Sequence, residues 1–142
     1  MCTLRVATVV LLCAVSQDAL ALDEPPPPTP AQLREWGSDE CVSAGKQLGI
    51  DYMQALNRAI AKDPAGLATL FRFTNTPQHD AAAGEAHDQI LCGLLQRWGD
   101  RSFAHVLRSQ KLAVRKAVVD AIFAFWGWKP TKFPLTYASA PH

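Results

Sequence analysis

The sequence predicts an all-α fold, a compact bundle of five or six helices with an extended C-terminal tail. Three observations lead to this prediction. Apolar residues recur at three- and four-residue spacing through most of residues 30–127. Residues that start and stop helices flank these stretches. No stretch alternates apolar and polar residues in the way that a half-buried strand requires.

Size and composition fit one folded domain. The 142 residues are 49% apolar and 19% charged, which excludes a wholly disordered chain. The formal net charge of +1 is small for a protein that binds nucleic acid through its overall charge. We therefore expect no nucleic-acid partner.

Residues 1–21 have the features of a secretory signal peptide. Arg5 supplies a positive charge, residues 6–15 are mostly apolar, and residues 19–21 read Ala-Leu-Ala, a small-x-small cleavage pattern. The apolar stretch is shorter than the ~20 residues of a membrane span. An N-terminal core helix is the alternative. We expect an exported protein, periplasmic or extracellular, with no transmembrane segment after cleavage.

Residues 22–29 form a proline-rich spacer. Its four consecutive prolines, at positions 25–28, favour the extended polyproline II conformation. Such a run could be a ligand for a proline-binding groove, but we expect a stiff tether between the signal peptide and the domain.

Two cysteines remain once the signal peptide is removed. In an exported protein, one remaining pair favours a disulfide between Cys41 and Cys92. Two free thiols are the alternative. Without a nearby Cys-x-x-Cys, these residues do not indicate a zinc or redox site.

The domain spans residues 30–127, and the sequence of its first half predicts three helices. Thr29, followed by Pro30 and Gln32, predicts a capped helix that ends at Trp36. Ser38 starts a long helix to about residue 61, and a shorter one runs from residue 64 to 74. The apolar stripe of the long helix consists of Cys41, Ala44, Leu48, Tyr52, Leu56, Ala59 and Ile60.

The second half predicts three more helices and a tail. One helix runs from about residue 80 to 98 and stops at Gly99. Asp100 caps a short helix, and a final helix ends at Gly127. The tail, residues 128–142, contains prolines that disfavour helix and aromatic residues that favour packing. We expect it to lie extended across the domain.

Residues 114–122, Val-Arg-Lys-Ala-Val-Val-Asp-Ala-Ile, resemble the second helix of a HEAT-type repeat. With the short helix before it, the resemblance covers residues 100–126. An earlier pair, residues 64–74 and 80–98, would form a second unit, although it lacks the Val-Arg signature. The resemblance implies HEAT-like helical hairpins and a binding surface rather than catalysis.

One polar cluster could carry chemistry. The pairs His79-Asp80 and His87-Asp88 could serve a metal-dependent hydrolase, with His79, His87 and Asp88 as ligands. On one helix, side chains eight residues apart are separated by about 12 Å, too far for one ion. His87 also lies on the apolar stripe. We therefore expect no metal, no cofactor and no catalytic residue; no nucleophile motif occurs elsewhere.

Charge is distributed unevenly along the chain. Residues 22–88 carry ten acidic and five basic groups, whereas residues 89–142 carry two acidic and eight basic groups. Aromatic side chains are interleaved with basic ones near the C-terminus. The predicted partner-binding residues are Trp126, Trp128, Lys129, Lys132, Phe133 and Tyr137. Such a surface suits another protein, or an acidic glycan or lipid head group; alternatively, the two halves face each other.

Together these observations predict a small exported protein-protein interaction module. One specific version is an immunity or inhibitor protein that blocks a secreted enzyme. The alternatives are the metal-dependent hydrolase and a structural protein of the cell envelope.

Overall fold

A computed structural model of the chain describes residues 25–79 and 81–141. The expected signal peptide, residues 22–24 of the spacer, Asp80 and His142 lie outside the described residues. Within the described ranges the chain is all-helical, with no strand. The predicted all-α fold is therefore confirmed.

Eight helices form the described part of the chain, compared with the five or six expected. They are α1 (Pro30–Trp36), α2 (Asp39–Gln47), α3 (Tyr52–Ile60), α4 (Pro64–Thr74), α5 (Ala81–Trp98), α6 (Asp100–Arg108), α7 (Leu112–Trp126) and α8 (Pro134–Tyr137). No helix among the described residues is long and apolar enough to cross a membrane.

Helix starts follow the local sequence signals. Thr29 forms the predicted capping box with Gln32, and Pro30 takes the first helical position of α1. The side chain of Ser38 accepts a hydrogen bond from the backbone N–H of Cys41, and Asp63 caps α4 in the same way. These caps satisfy backbone donors that have no partner within the helix.

The single long helix predicted for residues 38–61 is wrong. It is two helices, because Gly49 takes a φ of +70° after α2 and Asp51 caps α3 through the N–H of Gln54, 2.9 Å away. Gly45 of α2 lets the chain that leads into α3 approach α2 closely, since a Cβ at Gly45 would lie 2.9 Å from the carbonyl oxygen of Ile50. The apolar spacing continues through the break, so it does not reveal the break.

α5 is the central helix of the bundle. It contacts α1, α2, α4, α6 and α7, while α3 packs mainly on α4. Phe71 of α4 and Phe103 of α6 meet edge to face, with ring centroids 4.9 Å apart. Both rings are fully buried, so the core is closed by direct contact between helices distant in sequence.

The tail packs on the domain as predicted, but it is not fully extended. Residues 134–137 form the one-turn helix α8, with Pro134 in its first turn. The carboxylate of Asp100 accepts hydrogen bonds from the N–H groups of Leu135 and Thr136, at 2.8 and 2.7 Å. Proline tolerates the first turn of a helix, so its presence did not exclude this turn. Asp100 therefore caps the tail helix; the N-cap of α6 is Gly99.

Residues 100–126, which carry the HEAT resemblance, form α6 and α7. α6 packs mainly against α8, whereas α7 packs mainly against α5 and α4. The earlier pair corresponds to α4 and α5. The HEAT-like repeat stays a prediction.

The end of the proline-rich spacer is attached to the domain. Pro28 is buried, and its carbonyl oxygen accepts a hydrogen bond from Nη1 of Arg97 at 3.1 Å. Gly93 makes room for it: a Cβ at that position would lie 2.7 Å from Cγ of Pro28 and 2.8 Å from Cδ2 of Leu33. Pro28, the last of the four consecutive prolines, thus docks on α5, and the role of the spacer as a tether stays a prediction.

The expected disulfide is absent: Cys41 and Cys92 are buried free thiols. The sulfur of Cys41 lies 3.5 Å from the carbonyl oxygen of Ala83, and that of Cys92 lies 3.6 Å from the carbonyl oxygen of Ile122. Ala83 and Cys92 are nine residues apart on α5, about 13 Å along its axis. A disulfide needs Cα atoms within about 7 Å, so α5 itself holds the two thiols apart.

Candidate functional site

Five of the six predicted partner-binding residues lie on one short stretch that begins at the last residue of α7, and we call it the aromatic surface: Trp126, Trp128, Lys129, Lys132 and Phe133. The indole rings of Trp126 and Trp128 are nearly parallel, with centroids 6.3 Å apart and an angle of 12° between their planes. Phe133 contacts Trp128 with centroids 5.0 Å apart. The three rings therefore form a continuous aromatic run.

Two local features of the sequence create this surface. Gly127 ends α7 in the left-handed conformation, with a φ of +59°, and this reverses the chain so that Trp128 returns beside Trp126. A turn follows, closed by the N–H of Lys132 on the carbonyl oxygen of Lys129 at 3.0 Å. Because of this turn, Nζ of Lys132 lies 4.0 Å from the centroid of Trp128, a cation–π contact.

The exposure of the surface is unusual for its residue types. Trp126 is 52% exposed, and the adjacent Phe125, which contacts it edge to face at 5.5 Å, is 38% exposed. Lys129 is also exposed, and Trp128 and Phe133 are half-buried. Large aromatic side chains are mostly buried in folded proteins, so this end of α7 presents apolar area to solvent.

Tyr137 lies apart from the aromatic surface. It sits on α8 and packs edge to face on Phe123 of α7, with ring centroids 5.0 Å apart. The hydroxyl-bearing ring therefore helps to fasten the tail to the domain. Its place in the predicted set came from sequence proximity, which could not show that α8 turns it toward α7.

A buried polar network surrounds His87, and sequence reasoning missed its other members. Nδ1 of the imidazole lies 2.7 Å from the hydroxyl of Tyr52, and Nε2 lies 2.9 Å from the hydroxyl of Thr74. Thr74 in turn donates to the carbonyl oxygen of Leu70 at 3.3 Å. Tyr52 and Thr74 are 35 and 13 residues away from His87 in sequence, so no local pattern marked them.

One neutral tautomer of His87 satisfies all of these hydrogen bonds. When Thr74 donates its one hydroxyl proton to Leu70, its oxygen accepts from Nε2–H of His87, and Nδ1 accepts from the hydroxyl of Tyr52. The ring is fully buried, and burial together with the neighbouring His79 lowers the pKa of His87 to about 3. Burial likewise raises the pKa of Tyr52 well above its usual value. Both groups are neutral at pH 7.

His79 lies closer to His87 than predicted. The 12 Å separation assumed one continuous helix, but α5 begins at Ala81 and His79 belongs to the preceding turn, which is closed by its N–H on the carbonyl of Thr76. The two imidazole rings consequently meet edge to face, with centroids 5.5 Å apart. Nε2 of His79 also lies 2.7 Å from Oδ1 of Asp88, forming a half-buried ion pair when His79 is protonated.

This cluster does not have the arrangement of a metal site. Both ring nitrogens of His87 are used in hydrogen bonds to protein groups, which leaves no lone pair for an ion. Across residues 25–79 and 81–141, no group of three or more His, Cys, Asp or Glu side chains is placed to hold a metal. What His79, His87 and Asp88 form is a packed hydrogen-bonded cluster that joins α3, α4 and α5.

A comparison with known protein families, with curated proteins and with solved structures finds no match for this chain. The functional argument therefore rests on the residues themselves.

Proposed function

We propose that this protein is a small exported interaction module that binds a partner protein through the aromatic surface. The observation that carries the proposal is Trp126, which is 52% exposed and held parallel to Trp128 by the turn at Gly127. Tryptophan is enriched among the residues that dominate the binding energy of protein interfaces. A rigid, exposed indole is suited to that role because little conformational freedom is lost on binding.

The area involved is large enough to matter for affinity. A tryptophan side chain buries roughly 150–250 Å² when fully covered, so covering the exposed half of Trp126 removes on the order of 100 Å² from water. At about 25 cal/mol per Å² this is roughly 2.5 kcal/mol, a value typical of an interface hot spot. Phe125 beside it adds further apolar area.

Charge favours an acidic partner. Lys129 is exposed at the aromatic surface, and residues 89–142 carry eight basic but only two acidic groups. Such a field speeds the encounter with an acidic surface and disfavours basic ones. An immunity or inhibitor protein that blocks a secreted enzyme fits this proposal. Export itself is proposed from the sequence features of residues 1–21.

Affinity capture with a matched pair of variants tests the proposal. The protein is purified in the form that cells accumulate, its N-terminus is determined by mass spectrometry, and it is used to capture partners from envelope and secreted fractions. Trp126→Ala removes the exposed indole. Leu112→Ala is the control, because Leu112 is equally exposed, at 51%, but lies at the other end of α7, about 21 Å away.

We expect one dominant protein that is retained by the wild type and by Leu112→Ala and is lost from Trp126→Ala. Retention by both variants would place the interface elsewhere. Capture of no specific protein by the wild type would contradict the interaction proposal. Circular dichroism of each variant confirms that the fold is intact, which we expect because both side chains are half exposed.

A further inference from the structure

We infer that the aromatic surface recognises a proline-rich, acidic segment of its partner. This inference rests on the proposed function and adds the chemistry of the partner. It starts from a segment of the chain itself: Pro25, Pro26 and Pro27 line one open depression of about 290 Å³ together with Gln96 and Phe133. Because Phe133 is a member of the aromatic surface, a proline run already lies at the edge of this surface.

Pro28, the last proline of the run, is held by two contacts of the kind that a polyproline segment offers. A polyproline II segment has no internal hydrogen bonds, so its carbonyl oxygens are free to accept from a binding site, while its rings pack on apolar surfaces. Here Nη1 of Arg97 donates to the carbonyl oxygen of Pro28. The ring of Pro28 is buried against the backbone of Gly93, where no Cβ would fit.

The aromatic run continues beyond the part that the chain's own prolines reach. From Phe133 it passes to Trp128 at 5.0 Å and on to Trp126 at 6.3 Å. Two residues of a polyproline II helix advance about 6.2 Å. A proline-rich segment laid along the run would thus meet a ring about every second residue. Aromatic-lined grooves are a known way of binding such segments.

The occupant is a second segment rather than the chain's own run. Trp126 is 52% exposed even though Pro25–Pro27 are in place beside Phe133. Acidic residues next to the prolines suit the exposed Lys129. The chain supplies a sequence of this chemistry in residues 23–30, Asp-Glu-Pro-Pro-Pro-Pro-Thr-Pro, which can serve as a probe.

The test is a titration of this synthetic octapeptide into the purified protein, followed by tryptophan fluorescence and by the indole N–H resonances in NMR spectra. We expect saturable binding that is at least tenfold weaker for Trp126→Ala and unchanged for Leu112→Ala. A peptide with alanine in place of the prolines tests the backbone conformation, and one with lysine in place of Asp and Glu tests the charge. Both should bind at least tenfold more weakly.

Several outcomes would overturn the inference. Absence of saturable binding would do so, as would equal binding to both protein variants. If heparin shifts the indole resonances and the peptide does not, the surface is a glycan site. If sedimentation shows a dimer that Trp126→Ala abolishes and that the octapeptide does not compete with, the occupant is a different surface of a second copy of this chain. A captured partner that needs Trp126, combined with no binding of the peptide, would leave the proposed function intact and reject only the proline-rich chemistry.

Discussion

Lowering the pH from 7.5 to 5 should destabilise the folded protein by about 2 kcal/mol through His87 alone. In the unfolded chain His87 has a pKa near 6.5, whereas in the folded protein burial, reinforced by His79, lowers this pKa to about 3. Between these values the unfolded state binds a proton that the folded state does not. The free energy of unfolding therefore falls by about 1.4 kcal/mol for each pH unit below 6.5.

The interval from pH 6.5 to pH 5 is about 1.5 pH units, so the free energy of unfolding falls by about 2 kcal/mol. The fall continues toward pH 3. Two of the other groups that face the ring do not titrate in this range. Burial raises the pKa values of Tyr52 and Cys41, so both stay protonated throughout this range. His79 faces the ring from the turn before α5, and its Nε2 lies 2.7 Å from Oδ1 of Asp88.

Urea unfolding at the two pH values, at constant ionic strength, measures the change. His87→Gln should be less stable than the wild type at pH 7.5 by about 1–3 kcal/mol, because Tyr52 and Thr74 lose well-placed partners. It should also lose most of the pH dependence. His105→Gln is the matched control: this histidine is exposed on α6, so its variant should retain the full dependence.

Two results would refute the reasoning. One is a wild-type protein that is equally stable at pH 7.5 and 5. The other is a His87→Gln variant that loses as much stability on acidification as the wild type. Either would mean that His87 is not held neutral by the hydrogen bonds to Tyr52 and Thr74.

Three further predictions concern packing. Gly93→Ala should destabilise the protein by about 1–3 kcal/mol, because the new Cβ would overlap a buried proline ring. Gly84→Ala should instead stabilise α5 by up to about 1 kcal/mol, because the nearest atom to its new Cβ is 3.6 Å away. Urea unfolding of the two variants compares these effects. Cys41 and Cys92 should react with iodoacetamide only after unfolding, since burial shields both thiols and raises their pKa values; peptide mapping that shows them joined would contradict the structure. Asp100→Ala should cost about 1–2 kcal/mol and increase hydrogen exchange in α8, whose first N–H groups it leaves without an acceptor.

Most of the fold could be predicted from the sequence because its signals are local. Thr29 and Asp63 cap helices through hydrogen bonds to residues only three and two positions further along the chain. Gly127 stops α7 by its own conformation. The break between α2 and α3 could not be predicted by periodicity. Gly49 and Asp51 interrupt the helix without shifting the apolar stripe, so the pattern reads as continuous.

The aromatic surface and the network at His87 differ in the same way, because one depends on local contacts and the other on contacts between residues distant in sequence. The aromatic surface was predictable, because Trp126, Trp128 and Lys132 are neighbours in sequence and a local turn joins them. The network at His87 was not, because Tyr52 comes from α3 and Thr74 from α4. Only the packing of α5 against these helices brings their hydroxyls to the two ring nitrogens.

His87 and Trp126 depart in opposite directions from the rule that polar groups face water and apolar groups face the core. The departure at His87 is resolved within the chain, since each ring nitrogen has a protein partner and the ring is neutral. Such a group is explained by stability alone. The departure at Trp126 is not resolved within the described residues, because half of its surface remains in water although Trp128 and Phe125 lie against it. Stability gives no reason to hold an indole in that position, whereas binding does. This contrast is the physical ground for our proposal that the aromatic surface binds a partner.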